Sequence, residues 1–539
     1  MSRQDRWRGQ SARMSYPGAG RYEGRNPEGF ACPDSGAGLM TSAHAHRDVK
    51  DLAESYDVIV IGAGPAGLSA ATTVSTFGAQ TLLVDENQTP GGQIYRSILL
   101  AQAADRRRLG GDYWRGREIA EAFTRSGVHY APATTAWSIG PQHDEQGQVI
   151  GHEVGVSANG TARLIRAKQV VLATGALERP FPIPGWTLPG VMTAGAAQIA
   201  LKSSGLIPEG RVVIAGTGPL LYLLAAQLID AGADVSAVLD TTPKENWLKA
   251  LRHVPAFLVS PYVAKGLRLL RKVHRRTKVV RWVSALSAEG AGMLKEIVWI
   301  ADGQEHRMTA DLLLLHQGVV PNINFSNAIG CKHAWDEMQL AFRPWIDDWY
   351  ETSVAGIAIA GDGAGIRGAD AAALQGSLAG LGCAGRLGLI GSDDRDRHAA
   401  PLKAQLAEVT RGRNFLDTLY QPSRSFRIPQ NPDTIVCRCE EVSAGKVRES
   451  VRAGAIGPNQ MKVFLRSGMG PCQGRFCGLT VTELIADERN VSPEKIGYYR
   501  LRFPIKPLKL RELASLPQSD SAKIAVLADL ADTHHSKSQ

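Results

Sequence analysis

A strand of buried character, Tyr56-Asp57-Val58-Ile59-Val60-Ile61, runs directly into Gly62-Ala63-Gly64-Pro65-Ala66-Gly67. No other stretch restricts the fold as much. Gly62 permits a tight turn, Gly64 leaves room for a pyrophosphate, and Gly67 lets the next helix, expected over 65–77, lie close to its strand. Free N–H groups and the positive helix end would then face an anion. The following strand, Thr81 to Val84, ends at Asp85-Glu86, where a carboxylate is placed to accept from a ribose 2′-hydroxyl. An ordinary βα turn with a solvated strand end would have to produce both features by coincidence. Gly62, Gly64, Pro65, Ala66, Gly67 and Asp85 are therefore the first candidate cofactor residues.

A second strand–turn–helix unit opens at Arg211 and carries Gly216-Thr217-Gly218-Pro219-Leu220-Leu221. The turn glycine and the pyrophosphate glycine are present, but Leu221 replaces the third small residue, which opens the helix–strand spacing. Asp240 ends the next strand one position later than Asp85 ends its own. The fold signal survives. Two readings of Gly216, Gly218 and Asp240 stay open: a working NAD(H) site, or a retained fold that binds the nucleotide poorly. Asp240 disfavours a 2′-phosphate, and Lys244 alone is no argument for one. The apolar run Val212 to Ile229 resembles a membrane span only until Gly216, Gly218 and Pro219 are seen to break it.

A chain of 539 residues is too long for one core, so two to four domains are expected. With 44% hydrophobic and 21% charged residues it reads as a soluble protein without a transmembrane segment. The net charge of +9 is spread too thinly to indicate nucleic acid, and no basic stripe interleaves with aromatics. The densest basic stretch, Lys265 to Arg281, reads as a solvated helix face, with anionic substrate, partner and membrane surface as alternatives. The first thirty residues have no apolar core, which argues against a secretory signal. A cytoplasmic location is expected, with association at the inner membrane face as the alternative. Residues 1–55 read as a flexible extension in which Met40 is an alternative start and Cys32 stands alone.

Four of the seven cysteines crowd together, as Cys437-Arg438-Cys439 and Cys472-Gln473-Gly474-Arg475-Phe476-Cys477. In a reducing compartment this reads as metal ligation before disulfides. Four thiolates suit a pair of bridged irons or one zinc, although zinc knuckles more often use two-residue gaps. Gly468, Gly470, Gly474 and Gly478 limit crowding there, and Ser443 to Ala453 has helical amphipathicity. Cys331 and Cys383 read as buried structural thiols. No Cys-x-x-Cys occurs, which excludes dithiol exchange through such a pair.

The sequence resembles the two-dinucleotide-domain flavoproteins that include thioredoxin reductase. Gly91-Gly92-Gln93-Ile94-Tyr95-Arg96 is similar to the flavin-edge segment, Ala173-Thr174-Gly175-Ala176 to the strand end beside FAD, and Gly361-Asp362-Gly363 to the late ribityl–phosphate motif. Pro321-Asn322 lies where such a chain returns from its second domain. The resemblance implies an α/β fold with two Rossmann-like three-layer domains. It adds Gly92, Gln93, Thr174, Gly175, Gly361 and Asp362 to the cofactor residues. The FAD domain would span 56–184 and 315–388, with an NAD(P)-type domain inserted over 185–314. After a 389–430 linker, 431–490 is similar to the bacterioferritin-associated-ferredoxin-like [2Fe–2S] domain. Cys437, Cys439, Cys472 and Cys477 would be its ligands. An extended segment, 491–539, would complete the chain.

The whole arrangement resembles the large A-type or alpha-type chains of opine oxidases, hydrogen cyanide synthase and hydroxyproline or amino-acid dehydrogenases. Asp85-Glu86, Gly91 to Arg96, Gly195-Ala196-Ala197-Gln198 and Arg466 to Arg475 carry that likeness, which adds Glu86 to the cofactor residues. It implies FAD and a [2Fe–2S] cluster, with NAD as an open third cofactor. It also implies a D-amino-acid-oxidase-like flavoprotein partner, a small ferredoxin-like partner, and a small amine or amino-acid substrate. In such assemblies the partner oxidises the C–N bond and the A-type chain relays electrons. No catalytic base is nominated. His316 reads as an ordinary packed or exposed histidine, with approach to a flavin edge as the alternative, and Gln93 and Tyr95 as flavin-environment residues. The alternatives are a self-contained NAD(P)H:acceptor oxidoreductase and a non-catalytic scaffold.

Overall fold

Strand β1 (Ser55–Ile61) alternates in exposure at its start and is then continuously buried, as expected of a parallel strand covered on both faces. The computed structural model describes residues 46, 48–101 and 108–517, together with a two-residue strand at Met14–Ser15; Cys32 and Met40 lie outside them. After β1 come α1 (Pro65–Thr76) and β2 (Thr81–Val84), within a residue or so of the spans read from the sequence. β1 lies between β2 and β3 (Thr161–Leu172), parallel to both, so Ile61 pairs with Val84 and with Leu172. Ile357–Ile359 joins β3 in parallel, and Val149–Ala158 and Thr135–His143 extend the sheet antiparallel.

The second unit repeats the plan. Following α2 (Ala194–Ser204), β4 (Arg211–Thr217), α3 (Pro219–Ala231) and β5 (Asp234–Asp240) lead into three helical pieces. These are α4 (Lys244–Ala250), α5 (Val254–Leu258) and the longer α6 (Tyr262–Arg276). β6 (Leu312–Gln317) then pairs in parallel with β4, giving the strand order Lys278–Val280, β5, β4, β6, Val191–Thr193. The result is an α/β chain with two Rossmann-like sheets, as expected.

Helix α7 (Ala369–Arg386) lies against α1 with almost no side chain between them. A Cβ on Gly376 would enter the carbonyl oxygen of Ala66, and one on Gly380 would lie 2.8 Å from that of Ala70. The stretch 389–430, expected as a linker, instead holds α8 (Ser392–Val409) and α9 (Arg413–Leu419). The charged surface hides a thin apolar stripe. Ala399, Leu402 and Leu406 recur at helical spacing and pack onto the main core.

The cysteine region begins with a short hairpin, Ile435–Cys437 and Val442–Ser443. Helices α10 (Ala444–Arg452), α11 (Pro458–Leu465) and α12 (Gly478–Glu488) complete it. Its core includes Tyr499 and Leu501, so the segment after 491, expected to run extended outside the domain, in part fills it.

Substituting Gly376→Val drives a side chain into backbone and should destabilise the fold by about 3 kcal/mol, read as a lowered denaturation midpoint. Gly140→Ala, where an added Cβ meets open space, should stay within about 0.5 kcal/mol.

Candidate cofactor sites

Around the first glycine turn, three distant segments meet backbone to backbone. Gly62, at φ +108°, cannot carry a Cβ without striking the carbonyl of Ala173, and a Cβ on Gly67 would strike that of Gly62. A Cβ on Gly92 would fall 2.7 Å from the Cα of Gly64, whereas Gly64 itself faces space. Gly361 closes the far side, where an added Cβ would lie 2.7 Å from that of Ala66. Pro65 starts α1 at a position whose missing N–H costs nothing. This is a cradle that fits a dinucleotide pyrophosphate at a helix N-terminus.

Asp85 is buried beside it. Its carboxylate accepts from the Ala63 N–H at 2.5 Å and from the Asn87 N–H and side-chain amide, both at 2.7 Å. Burial raises its pKa against the pull of those donors. Asn87 in turn accepts from Arg96, which also donates to Gln93 Oε1 at 3.0 Å, so Asp85 and Gln93 belong to one network. Glu86 points elsewhere: it is exposed and pairs with Lys506 at 2.8 Å. Asp362 caps the turn before α7, accepting from Arg367 and Gly368 N–H at 2.9 and 3.1 Å.

Two groups here were invisible in the sequence. Lys202, on α2, is buried and donates to the carbonyls of Gln93 and Ile94 at 3.3 and 3.0 Å, and to Gln198 at 3.2 Å. It ties the inserted unit to the Gly91–Arg96 segment. Burial, aided by the charge of Arg96, lowers its pKa to about 7. Glu178 bridges in a similar way, taking the N–H of Gly195 at 2.9 Å and meeting His316 Nδ1 at 2.6 Å. His316 is thus a packed histidine with a carboxylate partner.

The second glycine turn has the same backbone and different company. Gly216 faces the carbonyl of His316, as Gly62 faces that of Ala173. However, both oxygens of Asp240 are engaged by neighbouring side chains. Tyr222 on α3 donates to one at 2.5 Å, and Thr242 donates to the other through its hydroxyl at 2.5 Å and its N–H at 2.9 Å. At the matching position α1 carries Leu68, which has no such group.

The four predicted thiols come together as two pairs. Cys437 and Cys477 hydrogen-bond, as do Cys439 and Cys472. Among the described residues no three His, Cys, Asp or Glu side chains already form a metal cage. The donor set nevertheless fits a four-thiolate centre. A Cβ on Gly470 would collide with Cys439, so only glycine lets these two loops approach. Cys477 begins α12, at its positive end. The bond from Cys477 lowers the Cys437 pKa to about 6, and the same pairing with burial raises that of Cys477. Tyr499, unforeseen in the sequence, stands behind them, its hydroxyl 3.8 Å from Cys477 Sγ and 3.1 Å from Ser467.

A polar chain joins the two cradles. Asn322 N–H donates to Gly175 O at 3.0 Å, and its side-chain amide reaches Thr174 O at 3.4 Å. Asn322 Oδ1 accepts from the N–H of Asn324 at 3.4 Å, and the buried Asn324 amide donates to Gln473 O at 3.2 Å, one residue from Cys472.

Residues 56–376 match the pyridine nucleotide-disulphide oxidoreductase family, and residues 435–487 match the BFD-like [2Fe-2S] binding domain. The chain is 50% identical to the A-type chain of opine oxidase from Rhizobium meliloti, over 88% of its own length and 90% of that protein. It is 30% identical to the HcnB chain of hydrogen cyanide synthase from Pseudomonas aeruginosa, over 85% and 98% of the two chains. The crystal structure of L-proline dehydrogenase from P. horikoshii shares the fold, with a TM-score of 0.63 at 20% identity, covering 85% of this chain and 79% of that one.

Lys202 is charged only below its pKa, so its bonds to the Gln93 and Ile94 carbonyls are charge-assisted at pH 6 and not at pH 9. Lys202→Met should therefore weaken FAD retention about tenfold at pH 6 and much less at pH 9. Fluorescence titration of the flavin-free protein at both pH values checks this.

Proposed function

Because the chain belongs to the pyridine nucleotide-disulphide oxidoreductase family, and within it to the family of opine oxidase A-type chains, we propose that it is an electron-relay subunit. It serves a hetero-oligomeric dehydrogenase of an amine or amino acid, of the opine, hydroxyproline, glycine or sarcosine type. A D-amino-acid-oxidase-like flavoprotein would complete the assembly, and a small ferredoxin-like partner fits the same scheme. When bound, FAD accepts electrons in pairs and a [2Fe–2S] centre passes them singly.

The chain's own residues divide the work. Gly62, Gly64, Gly67 and Gly92 make room for a pyrophosphate, and Asp85 holds the turn and faces a ribose. Lys202 and Arg96 fix the Gln93–Ile94 edge. Thr174, Gly175, Gly361 and Asp362 line the opposite side. Cys437, Cys439, Cys472 and Cys477 hold the cluster, with Tyr499 and Ser467 excluding water behind Cys477. The observation that carries the reading is the Asn322–Asn324 bridge, which sets the Thr174–Gly175 strand end and the Cys472 loop in one hydrogen-bonded frame. Cys439 is exposed, and Met469 before Gly470 and Phe476 before Cys477 are about half exposed, which suits an acceptor. A delivery site on the cytoplasmic side, against the membrane, agrees with such an exit. Among the described residues no helix is long and apolar enough to cross a membrane.

A self-contained NAD(P)H:acceptor reductase is the second reading, and the altered second turn weighs against it. Leu221 stands where the first turn has Gly67, and Tyr222 on α3 ties Asp240 to the helix beside it.

Co-expression with the companion flavoprotein should yield a complex with FAD, two irons and two sulfides on this chain, as a [2Fe–2S] centre requires. Anaerobic addition of secondary amines should bleach its flavin only when the companion is present. Full turnover of an amine by the isolated chain, or rapid bleaching by NADH, contradicts the proposal.

A further inference from the structure

The stretch 244–281 takes no part in either cofactor site and has an unusual surface. It contains eleven Lys or Arg and one acid, Glu245, so its excess of positive charge alone accounts for the net +9 of the whole chain. Lys244 pairs with Asp302 at 2.8 Å, Lys265 with Asp112 at 2.5 Å, and Lys272 with Asp230. Arg268, Arg271, Arg275 and Arg276 remain on the outer side of α6, which buries only Val273 fully. With Lys272, Ile229 and Asp230 they line an open groove of about 620 Å³. Five cations thus face one carboxylate there, and that carboxylate is already paired.

The helical pieces just before this groove carry apolar side chains both inward and outward. Inward, Ala250 packs with Phe415 and Leu419, and Phe257 stacks on Phe415 with ring centres 4.1 Å apart. Outward, Leu248, Leu251, Leu258 and Val259 are 74, 60, 63 and 67% exposed, and Trp247 is half exposed. Leu248, Leu251 and Leu258 are turned to water, whereas Ala250 and Phe257 on the same pieces pack inward. Five large apolar side chains open to water within thirteen residues, flanked by Lys249 and Arg252, form an anomalous surface.

We infer that this face is a docking surface for an anionic phospholipid bilayer, with headgroup phosphates in the arginine groove and Trp247, Leu248, Leu251 and Leu258 in the interfacial layer. Charge complementarity selects the occupant. Arginines on neighbouring turns of one helix, with no acid among the described residues bonded to them, match a repeating array of phosphates. The flanking apolar side chains supply the shallow insertion by which surface helices bind membranes. Neither redox cofactor takes part in this contact, so it stands or falls apart from the proposed relay.

The test uses the full-length purified chain and vesicles of phosphatidylcholine, alone or with about 30 mol % phosphatidylglycerol. The chain should co-sediment with the anionic vesicles, stay in solution with the neutral ones, and be released by about 0.5 M salt. Arg271→Glu with Arg275→Glu should weaken binding at least tenfold. Leu248→Ser with Leu258→Ser should weaken it about tenfold while keeping the salt dependence. All four side chains lie on the outside of their helices, and unchanged circular dichroism and flavin content will show that the variants fold. Absence of binding to anionic vesicles, or equal binding by wild type and both variants, overturns the inference. So does a chain that ignores vesicles but whose variants lose the companion flavoprotein, which would make this face a protein interface.

Discussion

The close approach of backbone to backbone around α1 is the constraint on which the rest of the structure depends. Residues 62–67, 91–92 and 361–376 are far apart in sequence, yet they meet with no side chain between them. Each contact is possible only because a Cβ is missing. Their meeting fixes the start of α1, the edge segment that Lys202 holds and the last strand of the sheet. Through Asn322 it also fixes the attachment of the cysteine domain. A single bulky residue at Gly67, Gly92 or Gly376 would move every one of these parts.

The two dinucleotide units show how one backbone plan takes different side chains. In the first, Gly67 and Leu68 follow the turn, and Asp85 binds the loop that surrounds it. In the second, Leu221 fills the core and Tyr222 reaches across to Asp240. There Asp240 accepts from the helix beside it, and the unit carries α2 and the basic helix α6.

Much of this was legible in the chain. Glycine fingerprints can be read because the turn allows no other residue, and paired cysteines because few other chemistries place four thiols together. Leu221 showed directly that the second fingerprint was altered. What escaped was long-range pairing. Nothing around Lys202 marks it as buried, since its acceptors are carbonyls a hundred residues away. Tyr499 lay in a stretch whose prolines suggested an extended tail, yet its ring occupies the space left by Gly468 and Gly474. α8 was masked by charge, its apolar stripe being only one residue per turn. Glu86, expected at the cofactor from the likeness at Asp85-Glu86, is exposed and pairs with Lys506, because the end of a strand turns neighbouring side chains in opposite directions.

Relay function requires charge to cross from the flavin cradle to the cysteine cradle along the frame that Asn322 and Asn324 hold. Rapid-freeze electron paramagnetic resonance of the assembled complex, mixed anaerobically with its amine, tests this most directly. The reduced [2Fe–2S] signal should rise within a single turnover, and Asn324→Ala should slow its rise while leaving the spectrum of the chemically reduced cluster unchanged. A cluster that stays silent while amine is consumed at the full rate would contradict the relay.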